Sequence, residues 1–137
     1  MIKELMHDPI FLAGKSSPAL AEDLAVAQDL AQTLEAHRDG CVGMAANMIG
    51  VRKRIIAFYD GDKLCVMFNP EIIRRKGQYK TQESCLSLLG GPRDTTRFKE
   101  IRVQYQNERF QMRTKNFSGF TAQIIQHELD HLDGILI

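Results

Sequence analysis

No stretch of this chain stays apolar for the roughly 18 residues that a membrane span requires, because charge interrupts every hydrophobic run. The N-terminus carries Glu4, His7 and Asp8 where a signal peptide would need an apolar core. Both absences point to a cytoplasmic protein with no membrane partner. Charge of one sign is missing too. The 18 basic and 17 acidic side chains nearly cancel and are spread along the sequence, which leaves no footprint for direct reading of nucleic acid. Cysteine is scarce: Cys41, Cys65 and Cys85 leave an odd thiol under any disulfide pairing and lack the paired spacing of a structural zinc site. A reducing compartment fits them, with each thiol free to be core filler or ligand. There is no internal repeat, low-complexity tract or linker.

What is present is a chain of 137 residues, 44% hydrophobic, long enough for one compact domain over 1–137 and too short for two. Leu20, Leu24, Ala27, Ala31 and Leu34 recur at three- and four-residue steps, which predicts a helix from about Ala21 to His37 with an apolar stripe. Ser16-Ser17-Pro18 precedes it and His37-Arg38-Asp39-Gly40 caps it. Gly40 to Gly50 is too rich in glycine for a helix interior and too small for a core strand, so the backbone approaches something closely there. The middle reads as antiparallel β. A hairpin of Arg54–Tyr59 and Lys63–Phe68 turns at Asp60-Gly61-Asp62 and is closed by Asn69-Pro70. Further strands are expected near Glu71–Arg75, Gln78–Thr81 and Ile101–Gln106, with Asn107-Glu108 turning into another strand through Met112. A last helix runs from about Gly119 to Leu132, and Ile135-Leu136-Ile137 reads as a short terminal strand that adds to the sheet. The fold class is therefore α+β, with antiparallel sheets packed around a C-terminal helix and an N-terminal helix beside them.

That last helix carries the chemistry. His127 and His131 stand four residues apart, so both imidazoles project from one side and reach a single metal ion. Glu128 lies beside that ion, where a carboxylate moves a proton from water to a leaving amine without being a ligand. The bland alternative is a chance coincidence on a solvated helix face. The motif alone does not identify the reaction, since zinc proteases share it. A catalytic site keeps three protein ligands and an open position. Downstream, only Asp133 is available, and it sits too close to the helix end to fold back. Upstream, Cys85 in Glu83-Ser84-Cys85-Leu86-Ser87 offers a thiolate that suits iron or zinc. Taken alone, a cysteine in a strand is more often buried filler.

Three segments stand in order: Val42-Gly43-Met44-Ala45-Ala46, Glu83-Ser84-Cys85-Leu86-Ser87 and Gln126-His127-Glu128-Leu129-Asp130-His131. Their types, order and spacing resemble the three motifs of the peptide deformylase family, which removes the formyl group from the N-terminal methionine of new bacterial proteins. The N-terminal helix, Asn69-Pro70 and His131-Leu132-Asp133-Gly134 agree with it, so the resemblance covers essentially the whole chain. It implies that Cys85, His127 and His131 hold one divalent metal ion, ferrous iron first, with zinc or nickel as replacements. Glu128 would be the general base and acid that activates metal-bound water, and the backbone N–H of Leu86 would help hold the oxyanion. Val42 and Gly43 would border the substrate, and Ile124 and Ile125 are further candidates for the methionine pocket. Glu83 and Arg97 would pair to fix the loop bearing Cys85. The implied partner is an N-formylmethionyl peptide or nascent chain, with transient ribosome contact, and the expected form is a monomer.

The sequence departs from the family pattern at Cys41 and Ser84, where glycines are usual, and at Met48, where the first motif has a glutamine. That glutamine donates an N–H to the reacting oxygen, and a thioether has none to give. Losing such a donor costs about 100- to 1,000-fold in rate. The alternative reading is therefore a catalytically weak deformylase-like protein that binds formyl-methionyl or other acylated N-termini.

Overall fold

β2, Ile55–Asp60, explains the architecture. Its first five residues are all buried, as in a strand covered on both faces. Ile55, Ala57 and Tyr59 pack with Leu30 and Leu34 in one core cluster. Ile56 and Phe58 alternate into a second cluster with Ile125 and Leu132. The period of two along one strand thus separates two hydrophobic layers, and each fully buried side chain of this size stabilises the fold by roughly 1.5–3 kcal/mol. The structure is a computed structural model that describes residues 1–85, Ser87 and 90–137. Its elements are α1 (Pro9–Leu12), α2 (Leu24–Ala36), β1 (Gly43–Ala45), β2, β3 (Lys63–Glu83), β4 (Arg93–Gln106), β5 (Met112–Ser118) and α3 (Gly119–Leu132). The strands form one antiparallel sheet in the order β1-β2-β3-β4-β5, so β1 lies at an edge.

Helices α2 and α3 fall where the periodicity places them; a 3-10 turn over Ala21–Asp23 leads into α2. Asp23 accepts the N–H of Leu20 at 2.8 Å and so fixes the entry to that turn. The short α1 was not expected. Asp8 caps it by accepting the N–H of Ile10 at 3.0 Å.

Three sequence expectations are corrected. Asn69-Pro70 does not close a strand: β3 runs through it, with a register shift between Phe68 and Glu71. The bulge accommodates a residue without an N–H, and Asn69 adopts φ 52 there. The Asn69 side chain clasps Ala19, accepting its N–H at 2.7 Å and donating to its carbonyl at 3.0 Å. The fifth strand begins at Met112 instead of ending there. Asn107 Oδ1 accepts the N–H groups of Arg109 and Gln111 at 2.9 and 3.0 Å, which keeps residues 107–111 in a turn. Residues 135–137 form no strand. Gly134, at φ 76, packs so closely that a Cβ would fall 2.3 Å from the Ala13 carbonyl oxygen, and the terminal Ile137 carbonyl lies 3.2 Å from His131 Nε2 on α3.

Candidate metal centre

Ile124, His127, Glu128 and His131 form one stripe of α3 at steps of three and four, about a quarter-turn of the helix from Ile125 and Leu132, and Ile124 at its margin still touches their core cluster. Cys85 comes from the loop that follows β3. The ligand atoms of Cys85, His127 and His131 lie within 4.8 Å of one another. Bonds of roughly 2 Å from one ion reach all three with little movement. The environment fits an ion as well: Nδ1 of His131 and Oε1 of Glu128 are buried and face each other as an ion pair at 3.1 Å, with no well-formed hydrogen bond to either atom among the described residues. Two imidazoles and a thiolate are a donor set for iron or zinc.

Each ligand is oriented from behind. His127 Nδ1 donates to Glu83 Oε1 at 2.7 Å, and His131 Nε2 donates to the Ile137 carbonyl at 3.2 Å. The N–H of Ser87 donates to Cys85 Sγ at 3.4 Å. Glu83, 9% exposed at the end of β3, is a hub. It also accepts from Arg97 Nη2 at 2.7 Å and Nε at 3.0 Å, and from Gln123 at 2.9 Å. Arg97 is buried and reaches on to Asp130 at 2.7 Å. The pairing of Glu83 with Arg97 expected from the sequence is present, and it extends to α3 through His127, Gln123 and Asp130.

These contacts set the protonation of the metal-free site. Burial alone would raise Cys85, but hydrogen bonds from His127 and His131 and the charge of His131 outweigh it and lower the thiol to about 7. Burial would depress His127, yet its bonds to Cys85 and Glu83 and the nearby Glu128 raise it to about 9. Burial would lower His131, but the Glu128 charge and the close approach of Cys85 and Glu128 outweigh it and raise the imidazole well above its ordinary value. Glu83 is held at about 2, because bonds from His127, Arg97 and Gln123 outweigh its burial.

A cleft of about 350 Å³ opens beside the triad. Among its walls are Val42, Gly43, Ile124, His127 and Glu128, with Phe120, Gln123 and Gln82, which the sequence did not single out. Val42 and Phe120 are partly exposed at 39% and 64%. Phe120 begins the apolar pattern of α3, a signal that reads equally well as core. Ile125 does not line the cleft. It is fully buried in the second core cluster, because one residue along a helix turns a side chain by about 100° and only one of Ile124 and Ile125 can face the ligands. Met48 lines the cleft with its sulfur accepting the Ala45 N–H at 3.5 Å. Cys41 also lines it and donates to the Gly43 carbonyl at 3.0 Å; burial and then the Glu128 charge push its thiol up to about 12. Ser84 borders the same cleft. The expected oxyanion donor at Leu86 lies outside the described residues.

A thiol and two imidazoles close enough to share one ion, with a buried carboxylate beside them and a cleft in front, define a metal-dependent hydrolase. The class narrows on comparison with known proteins, for the polypeptide deformylase family model matches residues 6–137. The chain belongs to that family. It is 49% identical over 137 residues, the whole of both chains, to the peptide deformylase of Clostridium beijerinckii. The crystal structure of peptide deformylase from Thermotoga maritima superposes with a TM-score of 0.88 at 27% identity, covering 99% of this chain and 95% of that one. The Met-Ala-Ser-bound class I type b enzyme from Acinetobacter baumannii gives 0.87 at 28% identity, over 99% and 97%.

Proposed function

We infer that this chain is a hydrolase that removes the N-formyl group from N-terminal formylmethionine of nascent polypeptides, using one divalent metal ion. The observation that carries the reading is the convergence of Cys85, His127 and His131 within 4.8 Å beside the buried, half-unpaired carboxylate of Glu128. The alternative of a catalytically weak deformylase-like protein that binds acylated N-termini is not favoured by this family membership. Residues 1–137 act as a single domain.

When bound, the ion supplies Lewis acidity and brings water towards ionisation near neutral pH. Glu128 takes a proton at its carboxylate and later delivers it to the departing peptide amine. The backbone of β1, at the open edge of the sheet, pairs with the extended peptide, with Gly43 and Val42 bordering it. Ile124 and Val42 flank the methionine side chain. His127 and Cys85 are kept in place by Glu83 and the Ser87 N–H, so the donors need little rearrangement during reaction. The oxyanion donor that the family resemblance implies is the backbone N–H of Leu86, outside the described residues.

Iron is the metal we assign: the thiolate and imidazole donor set suits iron or zinc, and the resemblance to the family puts ferrous iron first, with zinc or nickel as substitutes. Three free cysteines suit a cytoplasmic location, and the protein acts as a monomer. Transient ribosome contact is supported by the exposed Arg74, Lys76 and Arg102, where Arg74 and Arg102 are cross-strand partners beside a groove of β3–β5.

The test is formate release from formyl-Met-Ala-Ser by anaerobically iron-loaded protein. Glu128→Ala is expected to lower kcat by about 100- to 10,000-fold while metal content is retained. Release no faster than that of the Glu128→Ala control would refute the assignment.

A further inference from the structure

Behind the metal triad lies a second, much smaller cavity of about 10 Å³. Asn47, Ser87, Cys85, His131 and Leu12 are among its walls, and neither His127 nor Glu128 borders it, so it is not the space between the three ligands. Asn47 and Ser87 are each 1% exposed. Nδ2 of Asn47 donates to the His131 carbonyl at 2.8 Å, which fixes the amide orientation and leaves Oδ1 as an acceptor with no partner among the described residues. Ser87 Oγ has none either. The rest of Ser87 is engaged: its N–H goes to Cys85 Sγ at 3.4 Å, and its carbonyl accepts from His7 Nδ1 at 3.2 Å.

Two buried, orphaned polar atoms on one cavity are costly unless something between them completes their bonds. The space admits about one water molecule and no larger ligand. We propose that Asn47 Oδ1 and Ser87 Oγ hold a single buried water that ties the Cys85 loop to α3, making Asn47 a positioning residue for the metal site. The water donates to Asn47 Oδ1 and exchanges a hydrogen bond with the Ser87 hydroxyl. Asn47 then grips α3 at the residue bearing one ligand, His131, and through the water grips the loop two residues beyond another, Cys85. Two ligands 46 positions apart in the sequence are held at a fixed separation by one side chain from the turn after β1. The consequence for the metal rests on the ligand assignment made above; the water itself does not.

The experiment has two arms. A crystal structure of the metal-free and the metal-loaded protein, at a resolution that shows ordered water, is expected to place one water within hydrogen-bond distance of Asn47 Oδ1 and Ser87 Oγ in both. Release of cobalt to a chelator is then timed for wild type, Ser87→Ala, Asn47→Ala and the double variant. Removing an outer support of this kind is expected to speed release about 10- to 100-fold. The double variant should be no faster than Asn47→Ala alone, since one water serves both groups. If Asn47→Ala does not fold, Ser87→Ala and the crystal structure decide the matter. Absence of the water, release from Ser87→Ala at the wild-type rate, or additive effects would each overturn the proposal. Failure of cobalt to bind the wild type while the water is seen would instead overturn the ligand assignment.

Discussion

Gly43 is the residue at which the geometry of the site is tightest. A Cβ there would lie 2.6 Å from Ile124 Cγ2 and 2.9 Å from Glu128 Oε2. Both neighbours are buried on a packed helix and have little room to retreat. Gly43→Ala is therefore expected to displace the Glu128 carboxylate and lower kcat for formate release by about 100-fold, with metal content unchanged. Activity within a few-fold of wild type would show that Glu128 tolerates the shift. Cys41, two residues earlier, is expected to be chemically quiet. With its thiol at about 12, burial first among the causes, it carries almost no thiolate at pH 8. Iodoacetamide should label Cys85 in the metal-free protein and spare Cys41, as read by peptide mass spectrometry. The glycine-rich run announced a close approach, but nothing in the residue order said that α3 would be what approached.

At the scale of elements, α3 was legible almost to the residue, since its apolar period and its histidine spacing agree. The strand limits were less so. Asn69-Pro70 and Asn107 are turn signals in isolation; the first is absorbed as a bulge because the side chain of Asn69 finds Ala19, and the second is a true turn displaced by a few residues. The sequence identified only part of what fastens the elements together: the Glu83–Arg97 pair was expected, its extension to Asp130 was not. Arg97 on β4 bridges Glu83 on β3 and Asp130 on α3, with side chains only 5% and 7% exposed for Arg97 and Glu83. Arg97→Leu would leave the Glu83 charge buried with half its partners, and is expected to cost about 3–5 kcal/mol in urea denaturation. Arg97→Lys should recover only part of that, because an ammonium does not match the fork of bonds to Glu83. The pH dependence has a definite sign. The folded Glu83 carboxyl, at about 2, lies below the unfolded value of 4.5, so its stabilisation is fully present above about pH 4.5 and is lost as pH falls towards 2. An Arg97→Leu variant should show a shallower acid slope, and an identical slope would remove Glu83 from the account.

For the whole molecule, the folded chain is charged for an ion before the ion arrives. At about pH 7.5 the metal-free protein holds His127 and His131 as imidazolium and Cys85 largely as thiolate, since His127 is raised to about 9, His131 is raised well above its ordinary range, and Cys85 is lowered to about 7. A ligand imidazole must be neutral, so metal binding has to expel both imidazole protons, about two per ion. Titration calorimetry of zinc into metal-free protein, in buffers of different ionisation enthalpy, measures that number directly. A value near zero would mean that the histidines are not charged in the folded metal-free state. Opposite pH trends in stability follow. Raised histidines stabilise the metal-free fold below their unfolded value of about 6.5, and that contribution fades as pH climbs through about 9. The metal-bound fold gains over the same range, because ion binding competes with fewer protons and adds stability through its tighter affinity. The difference in melting temperature between loaded and metal-free protein should therefore widen steadily from pH 6.5 to pH 9, and a difference that narrows over that interval would contradict the charge state assigned to the two histidines.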